Sequence, residues 1–195
     1  MLACLGGPQA SRRGRGGIPS CMPGEQLPAR MLFLLLASLL GSRLAEHAQS
    51  AAGLRSVRQL SRTATDDCSG FVRTIYAREG VDLAVLPALP RENGVSNLHR
   101  LARARRALRA RPLPGDLVFF RNTYRAGFSH VGIVEAIRGS AVTFVHRTRG
   151  GIVRSRLDLR RPHARRFNDV LRRAPRKALA GELLAGFAAP EPLTN

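Results

Sequence analysis

The sequence has no tryptophan and two tyrosines. Platforms for single-stranded nucleic acid need aromatic residues interleaved with basic ones, and no such run occurs, so the strong positive charge does not by itself indicate nucleic-acid binding. Lysine is almost missing. Lys177 is the one example, and arginine carries the rest of a formal charge of +19. Cysteine is limited to Cys4, Cys21 and Cys68, and no Cys/His cluster has metal-ligand spacing, so neither a metal nor another cofactor is expected. The apolar run Met31 to Leu40 is only ten residues long, whereas a membrane-crossing helix needs roughly 20, so no stable membrane span is expected. No fixed-period repeat is present, which excludes solenoids and propellers. At 195 residues the chain has room for one core and not for a second domain of ordinary size.

Residues 1–30 are rich in Gly, Pro and Arg and carry no usable periodicity. The ten-residue run that follows has the length of a secretory signal core, with a small-residue cleavage context at Ala48-Gln49-Ser50. Residues 1–50 therefore read as a disordered extension plus a signal-like segment, with Met22 or Met31 as alternative starts. A buried helix of the domain is the competing reading of the run. Export implies a periplasmic or extracellular location. It also removes Cys4 and Cys21, leaving Cys68 as a lone thiol with no partner for an internal disulfide. Residues 51–195 keep 27 basic and 11 acidic residues, a surface suited to anionic polymers; drift toward arginine codons accounts for it equally well.

Around Cys68 the chain reads Thr65-Asp66-Asp67-Cys68-Ser69-Gly70-Phe71-Val72 and continues to Ile75, Tyr76 and Gly80. Phe71, Val72, Ile75 and Tyr76 have helical spacing, Gly80 is a helix stop, and Asp66 or Asp67 can cap the start. Cys68 then falls in the first helical turn. There the dipole and free N–H groups favour a thiolate and can hold an oxyanion. Downstream, Pro114-Gly115-Asp116 marks a turn before the strand-like run Leu117 to Phe120. Three further strands are expected: Ser129 to Ile137 with His130 at its mouth, Ala141 to His146, and Gly151 to Ser155. Gly139-Ser140 and Gly150-Gly151 turn the chain between them. The picture is a helix followed by an antiparallel meander with two strand-end histidines.

These segments resemble the NlpC-type cell-wall cysteine peptidases and their relatives the CHAP amidases, over roughly residues 53–173. The resemblance rests on four blocks in the family's order: Asp67 to Val72, Pro114 to Phe120, His130-Val131-Gly132-Ile133-Val134, and Phe144-Val145-His146. It implies an α+β papain-like fold, with the nucleophile helix packed on an antiparallel sheet of about five strands. It also implies a triad of Cys68 as nucleophile, His130 as base and His146 as the orienting residue. Asp67 and Ser69 are substrate-contact candidates, although Asp67 reads first as a helix cap. The implied substrate is the amide bond of peptidoglycan stem peptides, cut between D-glutamate and the diamino acid. The alternatives are an N-acetylmuramoyl-L-alanine amidase and a non-catalytic wall-binding domain. A monomer is expected.

Two features depart from the family pattern. Val134 stands where the family has tyrosine, and Leu83 to Arg111 is long and arginine-rich. Within it, Asn97 to Leu108 reads as an amphipathic helix with Leu98, Leu101 and Leu108 on one face. Arg121 and Arg125, ahead of His130, are candidates to meet substrate carboxylates or are simply solvated. His47, His99 and His163 belong to no site. Residues 174–195 form a C-terminal tail whose apolar part, Leu179 to Phe187, either packs on the domain or stays loose.

Overall fold

A computed structural model describes residues 29–83, 86–172 and 176–193, with side chains from Ser38 onward. The reading of residues 1–28, including Cys4 and Cys21, lies outside these. Helix α1 (Ala29–Ala51) leads into a one-turn 3-10 helix at Val57–Gln59. Helix α2 (Cys68–Ala77) and helix α3 (Gly94–Ala104) follow. A two-residue strand β1 (Leu108–Arg109) precedes the meander β2 (Leu117–Arg121), β3 (Phe128–Arg138), β4 (Ala141–Thr148) and β5 (Gly151–Asp158). The chain closes with β6 (Val170–Arg172), β7 (Ala178–Leu179), the short helix α4 (Ala180–Leu183) and β8 (Leu184–Ala188).

The main sheet has six strands in the order β1-β8-β2-β3-β4-β5 and is antiparallel at every pairing. Strand alternation divides its side chains between two layers. Leu117, Phe119, Val131, Ile133 and Val145 join the core beneath α1, α2 and α3. Val118, Phe120, Val134, Val142, Phe144 and Leu157 form a second core with Ala178, Ala180, Leu183 and Phe187 from the C-terminal segment. The expected α+β architecture, a helix beginning at the cysteine and packed on an antiparallel meander, is present.

Two segments flanking the meander enter this fold more deeply than the composition suggests. Residues 184–188, read as part of a tail, form β8 and occupy the slot between β1 and β2, pairing Leu117 with Ala188 and Val118 with Phe187. Placing β8 there satisfies one edge of β2 and covers Phe120 and Phe144 with Phe187 and Leu183. At the other end Leu44, Ala48 and Ala51 of α1 are fully buried, so the packed unit begins before residue 51. The helix crosses the Pro114-Gly115 turn backbone to backbone. A Cβ on Gly41 would sit 2.6 Å from the Pro114 carbonyl oxygen, and one on Gly115 (φ +87°) would sit 2.2 Å from that of Gly41. Arg43 and His47 both pair with Glu79, just past α2.

Helix α3 is shorter than its apolar spacing suggests. Val95, Leu98, Leu101 and Ala102 are buried, but Arg106 adopts φ +54° and ends the helix. Leu108 therefore belongs to β1, is 42% exposed and does not extend the apolar face.

Candidate active site

Helix α2 begins where the side chain of Asp67 accepts the backbone N–H of Gly70 at 2.8 Å and the hydroxyl of Ser69 at 2.7 Å. Gly70 is required at this point, since a Cβ there would lie 1.9 Å from the carbonyl oxygen of Thr65. Asp66 does different work. It accepts the backbone N–H of Val57 at 2.8 Å and a bidentate pair from Arg147, with both bonds at 2.9 Å. Two parallel charge-assisted bonds fix orientation as well as distance. Arg147 follows His146 and Asp66 stands two residues before Cys68, so this ion pair ties the cysteine loop to the histidine strand. The Arg147 guanidinium, followed by the Val57 N–H, holds the Asp66 carboxyl well below the usual carboxylate range.

Cys68 is buried and free of any disulfide. Helix α2 packs against β3, and the backbone N–H of Val131, the residue after His130, favours the ionised form of the thiol. Burial pushes the thiol up to about 11, although the N–H groups of Val131, Cys68 and Ser69 pull the other way. The helix start alone would favour a thiolate, but taking the sulfur out of water outweighs it here.

His130 and His146 form the second half of the site. Nε2 of His130 lies 2.6 Å from Nδ1 of His146, and Nε2 of His146 lies 3.0 Å from Oγ of Ser155. The rings are packed against Phe120 and Phe144. Burial lowers His130 to about 4. Burial, and then the neighbouring His130, pushes His146 well below its ordinary value. Both imidazoles are neutral at pH 7, so within the 2.6 Å bond one nitrogen carries the hydrogen and the other accepts it.

The loop from β2 to β3 closes beside this pair. The backbone N–H of Asn122 donates to the Gly127 carbonyl at 2.9 Å, and that of Gly127 returns to the Asn122 side chain at 3.0 Å. Thr123 is locked to Ser129, the neighbour of His130, through its backbone N–H at 2.9 Å and its hydroxyl at 2.8 Å. From the other side Asn93, the cap of α3, and Ser96 both donate to the carbonyl of Phe128. The loop leaves Tyr124 62% exposed. Its hydroxyl is pushed up, by partial burial first and then by Cys68. Arg125 lies over the Tyr124 ring at 5.6 Å and Arg121 over Phe128 at 4.3 Å.

Cys68, Asp67 and Ser69 thus share one helix start, and His130 and His146 share one hydrogen bond. The side chains of Asp67 and Ser69 are occupied with starting the helix, and Ser69 packs against Gly94. The other histidines lie elsewhere. His47 pairs with Glu79, His163 with Glu182, and His99 stacks on Phe128. Sequence reasoning missed Ser155, the Val131 N–H and the Asp66–Arg147 brace. The only advance signal for Ser155 is its place on β5, where a polar residue faces a strand bearing Phe144 and His146. Among the described residues no group of three His, Cys, Asp or Glu side chains could hold a metal ion.

Residues 57–170 match the model of the NlpC/P60 family. The chain belongs to the NlpC/P60 family. Among the curated NlpC/P60 relatives, "Probable endopeptidase p60" of Listeria innocua is 41% identical over 69 residues, which is 35% of this chain and 12% of that protein. Its counterpart in Listeria monocytogenes is 39% identical over the same length. The match thus spans about an eighth of these relatives. An NlpC/P60 family protein of known crystal structure from Bacillus cereus aligns with 76% of this chain and 39% of its own, at 19% identity and a TM-score of 0.43.

Proposed function

We propose that this NlpC/P60 chain is a cysteine peptidase that hydrolyses amide bonds in peptidoglycan stem peptides, with Cys68 as nucleophile, His130 as base and His146 as the group that orients it. The observation that carries the reading is the buried 2.6 Å pairing of His130, at the start of β3, with His146 on β4, beside a helix that begins at Cys68 and packs on β3. The same location, at the cell wall outside the cytoplasm, follows from the substrate.

In the resting site the thiol and both imidazoles are neutral. When the substrate carbonyl arrives, His130 removes the proton from Cys68 and the sulfur adds to the carbonyl carbon. N–H groups at the start of α2 face the developing oxyanion. Collapse of the intermediate breaks the C–N bond, and His130 returns its proton to the leaving amine, leaving a thioester. Water, deprotonated by His130, adds to the thioester; the carboxylate product leaves and the thiol recovers its proton. Because burial opposes a standing thiolate, proton transfer belongs to the attack step itself.

The bond proposed is that between D-glutamate and the diamino acid. Purified protein is incubated with peptidoglycan and the released fragments are analysed by mass spectrometry. New diamino-acid amino termini support the endopeptidase reading, whereas intact stem peptides freed from muramic acid replace it with the amidase reaction. Cys68→Ala is expected to abolish release while leaving the circular-dichroism spectrum unchanged; undiminished release removes Cys68 as nucleophile.

A further inference from the structure

The two histidines and Ser155 form a hydrogen-bonded row across β3, β4 and β5, and the row has two possible proton arrangements. In the first, His130 carries its hydrogen on Nε2 and donates it to Nδ1 of His146, which then carries its own hydrogen on Nε2 and donates to Oγ of Ser155. Nδ1 of His130 is left as an acceptor. In the second, every bond is reversed: Ser155 donates to His146, His146 donates through Nδ1 to His130, and His130 carries its hydrogen on Nδ1. Only the first leaves His130 with an open nitrogen to receive a proton, since Nε2 is already engaged at 2.6 Å.

The row ends at the 3.0 Å contact between His146 Nε2 and Ser155 Oγ, where the hydroxyl can either accept or donate. Ser155 is an unexpected residue on structural grounds. Strand alternation sets it on the same side of β5 as Leu157, and it pairs in register with Phe144. Both neighbours are fully buried apolar side chains of the second core. Ser155 itself is half-buried, and His146 is the partner observed for its hydroxyl. His146 in turn is only 1% exposed, so its Nε2–H has little access to solvent in place of that oxygen.

We infer that Ser155 is a positioning residue that accepts the Nε2–H of His146 and thereby holds Nδ1 of His130 open as the base. This rests on the Cys68–His130 chemistry proposed above. During turnover the thiol proton moves to His130 Nδ1, and the Nε2–H of the resulting imidazolium stays donated to His146. No proton passes to Ser155, which acts only by fixing which nitrogen of His146 is protonated.

The test uses the full chain and two readouts that need no wall substrate. Two-bond proton–nitrogen spectra of 15N-histidine-labelled protein report the tautomer of each ring, and mass spectrometry follows alkylation of Cys68 by iodoacetamide at pH 7. The wild type is expected to show hydrogen on Nε2 of both histidines. Ser155→Ala is expected to lose the single His146 tautomer and to alkylate about tenfold more slowly, the scale of one hydrogen bond lost. Ser155→Thr, which keeps the hydroxyl, is expected to restore both. A wild-type His146 protonated on Nδ1 overturns the inference. So does an Ala variant with unchanged tautomers and alkylation, or a folded Thr variant that behaves like Ala. If the expected spectra and rates are found but the wild type releases nothing from peptidoglycan, Ser155 keeps its role and the proposed substrate falls instead.

Discussion

The two halves of the site are held in place by opposite kinds of physics. The cysteine half is assembled from polar, partly exposed groups: the Asp67 cap on Gly70 and the bidentate Asp66–Arg147 pair. The histidine half is assembled by burial, with both rings set among Phe120 and Phe144 and bonded to each other. Charged bonds give the cysteine loop a fixed direction but depend on ionisation and are weakened by salt. Apolar packing keeps the imidazoles neutral at ordinary pH, so a base is available without a standing ion pair. A site whose thiol is pushed up and whose imidazole is pushed down stores no charge until substrate arrives.

Breaking the histidine half has the largest expected effect. His130→Ala removes the proposed base, and kcat/KM on peptidoglycan fragments is expected to fall by on the order of 10⁴-fold, as for removal of one member of such a unit. Circular dichroism checks that the fold persists; a loss below tenfold would contradict the assignment.

A second experiment tests burial as the cause of neutrality. His130 falls to about 4 in the folded chain from about 6.5 when unfolded. Above pH 6.5 both states are neutral and the group contributes no penalty. As pH falls below 6.5 the unfolded chain takes up a proton that the folded chain refuses, so stability present above 6.5 is lost as pH falls through 4. The loss is about 3 kcal/mol at its limit. Asp116, which burial raises to about 7, acts in the opposite direction over the same range. The measurement is therefore the difference in urea unfolding between wild type and His130→Gln at pH 7 and pH 4. A difference that does not change with pH would show that burial is not what keeps the ring neutral.

The smallest effect is expected from the polar half. Arg147→Ala leaves Asp66 with the Val57 N–H but without its ion partner, and stability at pH 7 is expected to drop by about 1–3 kcal/mol. Raising salt to 1 M is expected to shrink the gap between variant and wild type, read as a change in Tm difference. The same treatment is expected to leave the His130 comparison unmoved. Equal salt responses would erase the distinction between the halves.

Much of this site was legible from local pattern. Apolar spacing after Asp67 specified the helix from Cys68, and the Pro-Gly-Asp and Gly-containing turns specified four strands within two or three residues of those observed. The apolar spacing near residue 98 marks helix α3 but runs on past its end at Ala104. The turn into left-handed φ at Arg106 has no signature in an arginine-rich run. Local sequence displays the helix start that favours a Cys68 thiolate, but burial is a property of neighbours that it does not display.

The sequence by itself determined which residue types stand at strand ends and helix starts, because period-2 and period-3.6 patterns and turn residues act over a few positions. It also determined the order Cys68, His130, His146. Only the tertiary structure decided that β8 fills the slot beside β2, that Leu44 and Ala48 of α1 belong to the core, and that Arg147 reaches Asp66. It alone decided that Ser155 meets His146. These contacts join residues far apart in the chain or in separate strands, and their free energy comes from burial and from hydrogen bonds that exist only once strand register is set. The tertiary structure likewise set the charge state of the site, since desolvation is the sum of everything packed around a group.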